Sequence, residues 1–398
     1  MRPSRARALA RIVQSANEAA IRTQLSAVGW RLIGLEVTTN VMSYGIVTLG
    51  EPSGPQKTMG DVPRRIILDR LWIHGAPSQT VRRCVALNSA WTAIVNSWLD
   101  DCHEKGSDSQ AIAGWNGPGP YRIENNTLAG AGENVIFGGA DPSIPDLVTA
   151  DVTIARNHFV TPFSWNGRWT KKNLFELKNA KRVLIEGNVM EGSWGDGQTG
   201  FAVVLKSTNQ SGRCPWCSTT DVTFQRNMVR NVGAGVDLIG KEGGHPFDTD
   251  SITKRLVLRE NQFEVEMQRL NGEGRLLQMV GGPREILFEK NVMLAKGYLK
   301  SAIALQRRNS AFNVAVKNNV FAHGQYGLVA DDLGSGAPAL AALTGANFSA
   351  NVFLVTPTSG RAGNVPGFSY VTSLANSIVF RGTTQAVQNA TRGVVVDP

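Results

Sequence analysis

Long hydrophobic runs are missing from this 398-residue chain: nowhere do about 18 apolar residues follow one another, so no membrane-spanning helix is expected. The first residues, MRPSRARALARIVQ, carry positive charge, but arginines interrupt every apolar run and no secretory signal is visible. Cysteine is scarce, with four residues. Cys214-Pro-Trp-Cys217 has the spacing of a redox or zinc half-site, yet no second CxxC follows and no βαβ context of a thioredoxin surrounds it. A disulfide or two free thiols in a loop is the plainer expectation for that pair, and Cys84 and Cys102 are either buried thiols or a second disulfide. His103, Glu104 and Asp108 match no metal template, and no nucleic-acid motif is present. What the chain does have in excess is positive charge, +9 with a pI near 9.6. That balance suits an acidic partner or a protein that is simply basic.

Against these absences stands one recurrent pattern, Val/Ile-x-apolar-x-x-Asn-x-apolar. It reads YRIENNTL at 121–128, VTIARNHF at 152–159, VLIEGNVM at 183–190 and VTFQRNMV at 222–229. It continues as LVLRENQF at 256–263, ILFEKNVM at 286–293, VAVKNNVF at 314–321 and ANFSANVF at 346–353. The asparagines are Asn126, Asn157, Asn188, Asn227, Asn261, Asn291, Asn319 and Asn351. Repeats of this length mean a solenoid. WRLIGLEV at 30–37, IILDRLWI at 66–73 and TAIVNSWL at 92–99 keep the apolar spacing without the asparagine. Each unit alternates with a strand period. Asn tolerates left-handed backbone, so its recurrence predicts a sharp bend at that residue and a stack of amides from layer to layer.

A second apolar strand separates successive motifs, for example LFELKN at 174–179, AVVLKS at 202–207, VDLIG at 236–240 and LLQMVG at 276–281. The link from this strand to the next motif is short; the return link is long and variable. This order resembles the right-handed parallel β-helix of the pectate-lyase-like superfamily over roughly residues 15 to 355. The expected fold is therefore all-β, a right-handed parallel β-helix of about ten coils with an asparagine ladder. Residues 19–355 form the helix, 1–18 a partial first coil or an N-terminal cap, and 356–398 a final coil or cap. Coil-like sequence begins almost at Met1, so an internal or mis-assigned start is expected, with a short amphipathic capping helix as the alternative. The fold implies an extracellular or cell-surface, secreted protein, here a monomer. Superfamily members include lyases, hydrolases, epimerases, tailspikes and adhesins, so fold alone assigns no activity.

In that family the sheet before the short turn usually carries substrate, and long loops rise beside it. With apolar side chains inward, Glu176, Val204, Asp237 and Gln278 fall in one outward column, and Lys178, Lys206 and Ile239 in the next. A lysine crowded by a second lysine and partly desolvated has a lowered pKa, so Lys178 or Lys206 is expected to act as base in β-elimination of a uronate-containing or sulfated polysaccharide. Glu176 and Asp237 would hold calcium, or serve instead as the carboxylate pair of a glycoside hydrolase. The plainer alternative is a solvated lattice of charges on a non-catalytic, glycan-binding or structural solenoid. Trp115, Trp165, Trp169 and Trp194 are expected to stack on sugar rings, with Asp196, Gln198, Gln278 and Arg308 reading polar groups. Glu133 and Asp141 are expected to organise a turn, and His245 and Asp248 to lie in a flexible surface loop.

Overall fold

A computed structural model describes residues 8–357, 359–360 and 363–394. Residues 1–7, and 358, 361–362 and 395–398 of the expected terminal segments, lie outside the described residues. From Ala10–Gln14 to Leu328–Ala330 the chain visits three sheets in strict rotation. The first has 13 strands, from Ala10–Gln14 to Phe368–Val371; the second and third have 12 each. Pairing is parallel among the described residues except where Val329 and Ala330 meet Ser335 and Gly334 and at an isolated bridge between Gly195 and Thr199. Coils thus extend beyond those marked by asparagine at both ends.

Alternation points every second side chain inward, and the inward column of the first sheet shows why a continuous core results. Leu128, Phe159, Met190, Val229, Phe263, Met293, Phe321 and Phe353 stand in register and are fully buried. Each rung covers the apolar face of the one beneath, which no single coil could bury alone.

The eight asparagines form one column. Each amide donates to the next carbonyl oxygen, from Asn126 to Asn157 at 2.9 Å through to Asn319 to Asn351 at 2.9 Å. The expected bend is displaced by one residue: positive φ falls on Asn125, Arg156, Gly187, Arg226, Glu260, Lys290, Asn318 and Ala350, immediately before each ladder asparagine. The asparagine is selected for its buried amide, while its neighbour takes the left-handed turn. Gly187 has a second reason to lack a side chain, because a Cβ there would come 2.7 Å from the Ala390 carbonyl oxygen.

Ala390 ends the helix Ile378–Ala390, which Ser377 caps by accepting the Phe380 N–H at 3.1 Å. Thr383 donates to the Lys290 carbonyl at 2.6 Å, so this helix lies along the flank of the turns rather than over the end of the stack. At the other end Ala10–Gln14 pairs with Leu35–Thr39, which excludes a capping helix reaching residue 16. The edge strand Val28–Ile33 there exposes Val28, Trp30 and Ile33. Cys84 pairs with Cys102 and Cys214 with Cys217, so neither thiols nor a metal remain at the CxxC. No helix among the described residues is long and apolar enough to cross a membrane.

Candidate active site

The second sheet places its outward columns as alternation requires: Glu176 pairs with Val204, Val204 with Asp237 and Asp237 with Gln278. Lys206 pairs with Ile239 in the adjacent column, and the Lys178 carbonyl accepts the Thr208 N–H at 3.0 Å. Two connections cover this face. The segment between Val160 and Phe175 is tied to the 195–199 loop by Lys171 N–H donating to Asp196 at 2.8 Å, and Glu242 closes the other side.

That cover changes the electrostatics. Glu176 is fully buried, with Lys206 Nζ 2.9 Å and Lys178 Nζ 3.8 Å from its Oε1 and the Asn173 amide donating to Oε2 at 3.1 Å. Asn173 also donates to Gln198 at 3.2 Å. Burial pushes the Glu176 carboxyl up, but the two lysines overcome it and hold the group below its usual range. Lys206 also reaches Glu242 at 2.7 Å. Burial would lower the Lys206 ammonium, yet Glu176 and Glu242 together raise it above the ordinary lysine value. Lys206 therefore stays a cation, which corrects the expectation that it is a base.

Asp237 goes the other way. Burial pushes it up to about 6, against a hydrogen bond from Gln278 at 3.0 Å and the attraction of Lys206. Gln278 in turn accepts from Arg275. A calcium ion does not fit here: Glu176 is already occupied by two ammonium groups. Among the described residues no three His, Cys, Asp or Glu side chains are grouped to hold a metal.

Two further buried groups beside this cluster are strongly shifted: Glu133, which the sequence assigns to a turn, and Lys171, which the sequence does not single out. Glu133, fully buried, is driven up to about 7 by burial and by its neighbours Glu176 and Asp108, while Gln110 donates to it at 2.8 Å and Lys172 Nζ lies 4.0 Å away. Lys171, also fully buried, is lowered to about 7 by burial and donates to Thr161 Oγ1 at 2.9 Å and the Asn173 carbonyl at 2.8 Å. The lysine with a depressed pKa thus exists, but in the loop beneath the surface rather than on the sheet. Asp141 accepts from the backbone of Gln210, Ser211 and Arg213 and organises that turn, and His245 and Asp248 are exposed. Glu104 pairs with Arg82 at 3.1 Å and Asp108 with Lys172 at 2.5 Å.

The aromatic wall is also corrected. Trp165 and Trp194 are buried in a small cluster with Ala129, Ala131 and Leu270, so their faces are spent on packing the loop. Trp169 stacks on the buried His103 at 4.0 Å. Trp115 is half-buried, donates to the Pro52 carbonyl at 2.7 Å and lies 4.9 Å from the Arg83 guanidinium. Asp196 and Arg308 are exposed and Gln198 is half-buried, and only Gln198 approaches the charged cluster, through Asn173.

No family model matches the chain, and no curated protein does. Solved structures do. The tailspike protein gp49 from Pseudomonas phage LKA1 superposes with TM-score 0.50 and 10% identity over 86% of this chain and 52% of its own, so the chain spans about half the length of that tailspike. The fold is a right-handed parallel β-helix. An alginate lyase of PL6 in complex with a trisaccharide (TM-score 0.42, 13% identity, 93% of this chain and 84% of that one) is also similar. So is the pectate lyase Pel9A (TM-score 0.36, 11% identity, 85% and 70%). At these identities the likeness extends to the fold alone.

Proposed function

We propose that this chain cleaves an acidic polysaccharide laid along the outward face of the second sheet, with Asp237 as the proton-transferring group. The observation that carries the reading is the divergence of two carboxyl groups in one column: Glu176 is held ionised, while Asp237 is pushed up to about 6. Environments that drive paired groups apart mark acid and base roles. In β-elimination Asp237 takes the proton next to the uronate carboxylate, the carbon–oxygen bond to the leaving sugar breaks, a double bond forms in the ring, and the departing sugar oxygen takes a proton from water. Lys178, at 3.8 Å the more loosely paired lysine, is the cation placed to meet the carboxylate. Lys206 fixes Glu176 and positions the array. The positive balance of the chain supports an acidic partner, and the two disulfides support an extracytoplasmic setting.

Glycoside hydrolysis is the second reading, favoured by the same pair of carboxyl groups. They stand two rungs apart, roughly 10 Å along the sheet, near the upper end of inverting separations. One experiment separates the two. The protein is incubated with uronate and sulfated glycans while unsaturated product is followed by absorbance and new reducing ends are counted. Asp237→Asn is expected to abolish turnover in either case. A base works when deprotonated, so elimination should rise as pH passes up through about 6. An acid works when protonated, so hydrolysis should fall across the same limb. Full turnover by Asp237→Asn would remove the assignment, and glycan binding without turnover would leave a binding solenoid.

A further inference from the structure

A recess beside the loops lies away from the second sheet. It is a cavity of about 550 Å³ over the outward face of the first sheet. Its floor follows from strand register. Asp100 pairs with His74 on one side, Val160 pairs with Glu191, and Glu191 with Arg230 on the other. Between the two carboxylates the outward positions are the short side chains Ala129 and Val160, which leave a trough about 14 Å long, three strand spacings. Phe163, half exposed, overhangs it from the loop, with the Arg269 guanidinium 5.3 Å from its ring.

Two features show that this trough is built for something polar. Trp98, only 4% exposed, lines it, and its indole N–H has no hydrogen-bond partner among the described residues. The indole lies near enough to Asp100 to favour the ionised carboxyl, but without an aligned bond. Burial and the adjacent Asp101 push Asp100 up; its Oδ1 accepts the Asp101 N–H at 2.7 Å and His74 attracts it, but no lysine or arginine is paired with it among the described residues. By contrast Glu191 is already matched by His158 at 2.8 Å and by Arg230, and Arg269 by Glu266 at 2.7 Å. An anion in the trough would therefore meet a carboxyl that no lysine or arginine balances, and the one lysine or arginine among the described lining residues, Arg269, is already paired. An apolar strip with an indole donor, a carboxyl acceptor and an aromatic face is what the two sides of an uncharged sugar require.

We infer that the trough bounded by Trp98, Asp100, Phe163 and Glu191 is a second glycan site, taking a short neutral oligosaccharide. It is separate from the Glu176 cluster, although the loop that begins at Thr161 lines one and ends beside the other. The inference does not rest on cleavage. Ring C–H groups lie on Phe163 and Val160, one hydroxyl accepts from the Trp98 indole, and another donates to Asp100.

The test titrates maltotriose, cellotriose and laminaritriose, with trigalacturonate as the acidic control, into the wild type and three variants by calorimetry and saturation-transfer NMR. At least one neutral trisaccharide is expected to bind, and Phe163→Ala to weaken it about tenfold, the worth of one stacked ring. Trp98→Phe keeps the ring and removes only the donor, and should weaken binding about threefold to tenfold. Asp237→Asn should leave it unchanged, so failure of the cleavage reading and failure of this one are distinguishable. Phe163 is exposed, so its removal tests the site even if Trp98→Phe disturbs folding. The inference is overturned if none of the neutral sugars binds, if they bind Phe163→Ala as tightly as the wild type, or if trigalacturonate competes for the trough.

Discussion

Replacing Lys206 by alanine is expected to cost about 3–5 kcal/mol of stability, the usual penalty for stripping one partner from a buried ion pair. Lys206 is 4% exposed and bridges Glu176 and Glu242, at 2.9 and 2.7 Å. Without it Glu176, fully buried, keeps only Lys178 at 3.8 Å and the Asn173 amide. Burial, the largest influence on Glu176, would then be opposed only by these two and is expected to lift its carboxyl above the normal range.

The sign with pH follows from that reversal. In the wild type the Glu176 pKa is depressed, so its contribution is present above the unfolded value of about 4.5 and is lost as pH falls through the lower folded value. In Lys206→Ala it is raised, so stability is retained below about 4.5 and lost as pH rises. The gap between the two proteins should widen from pH 4 to pH 8 in urea unfolding. The double variant Lys206→Met, Glu176→Gln should recover most of the loss, because an uncharged pair leaves no stranded ion. A cost below about 1 kcal/mol, independent of pH, would return the cluster to a solvated lattice of the kind that contributes little.

The same residues show what can be read from a sequence and what cannot. A period of two fixes which side of a strand a residue occupies, so the column Glu176, Val204, Asp237, Gln278 is legible from alternation alone. Outward, however, is not the same as wet. Whether Glu176 meets water depends on where the long loops come to rest, and no local pattern encodes that. Hence Lys206 reads as a desolvated base in the sequence and is a doubly paired cation in the fold. The loop tryptophans mislead for the same reason: Trp165 and Trp194 pack against Ala129 and Ala131 because a long loop needs a small core of its own. The left-handed residue was misplaced because its real occupants, among them Arg156, Glu260 and Lys290, have no marked preference for that conformation. They accept it because the buried amide that follows gains more from its hydrogen bonds than the turn loses.

That balance can be measured within one turn. Asn291→Leu is expected to destabilise the protein by about 4 kcal/mol, whereas Lys290→Gly, one residue earlier, should change it by less than about 1 kcal/mol. Asn291 is fully buried; its amide donates to Asn319 at 3.1 Å and to the Leu258 carbonyl at 2.9 Å, and its oxygen accepts from the Asn261 backbone at 3.0 Å and side chain at 2.9 Å. Leucine of similar shape fills the space but strands the Asn261 N–H and the Leu258 carbonyl, each costing about 1–3 kcal/mol when buried without a partner. Asn261 Nδ2 keeps its bond to Phe224 and Asn319 keeps the Asn291 N–H, so the loss stops at two groups. Lys290 is exposed with φ of 53°, a conformation glycine adopts without steric strain, and the relief offsets the extra freedom of glycine in the unfolded chain. Urea unfolding of the two variants decides the matter. Were Lys290→Gly the costlier of the two, the backbone bend rather than the amide column would be what the recurrent asparagine preserves.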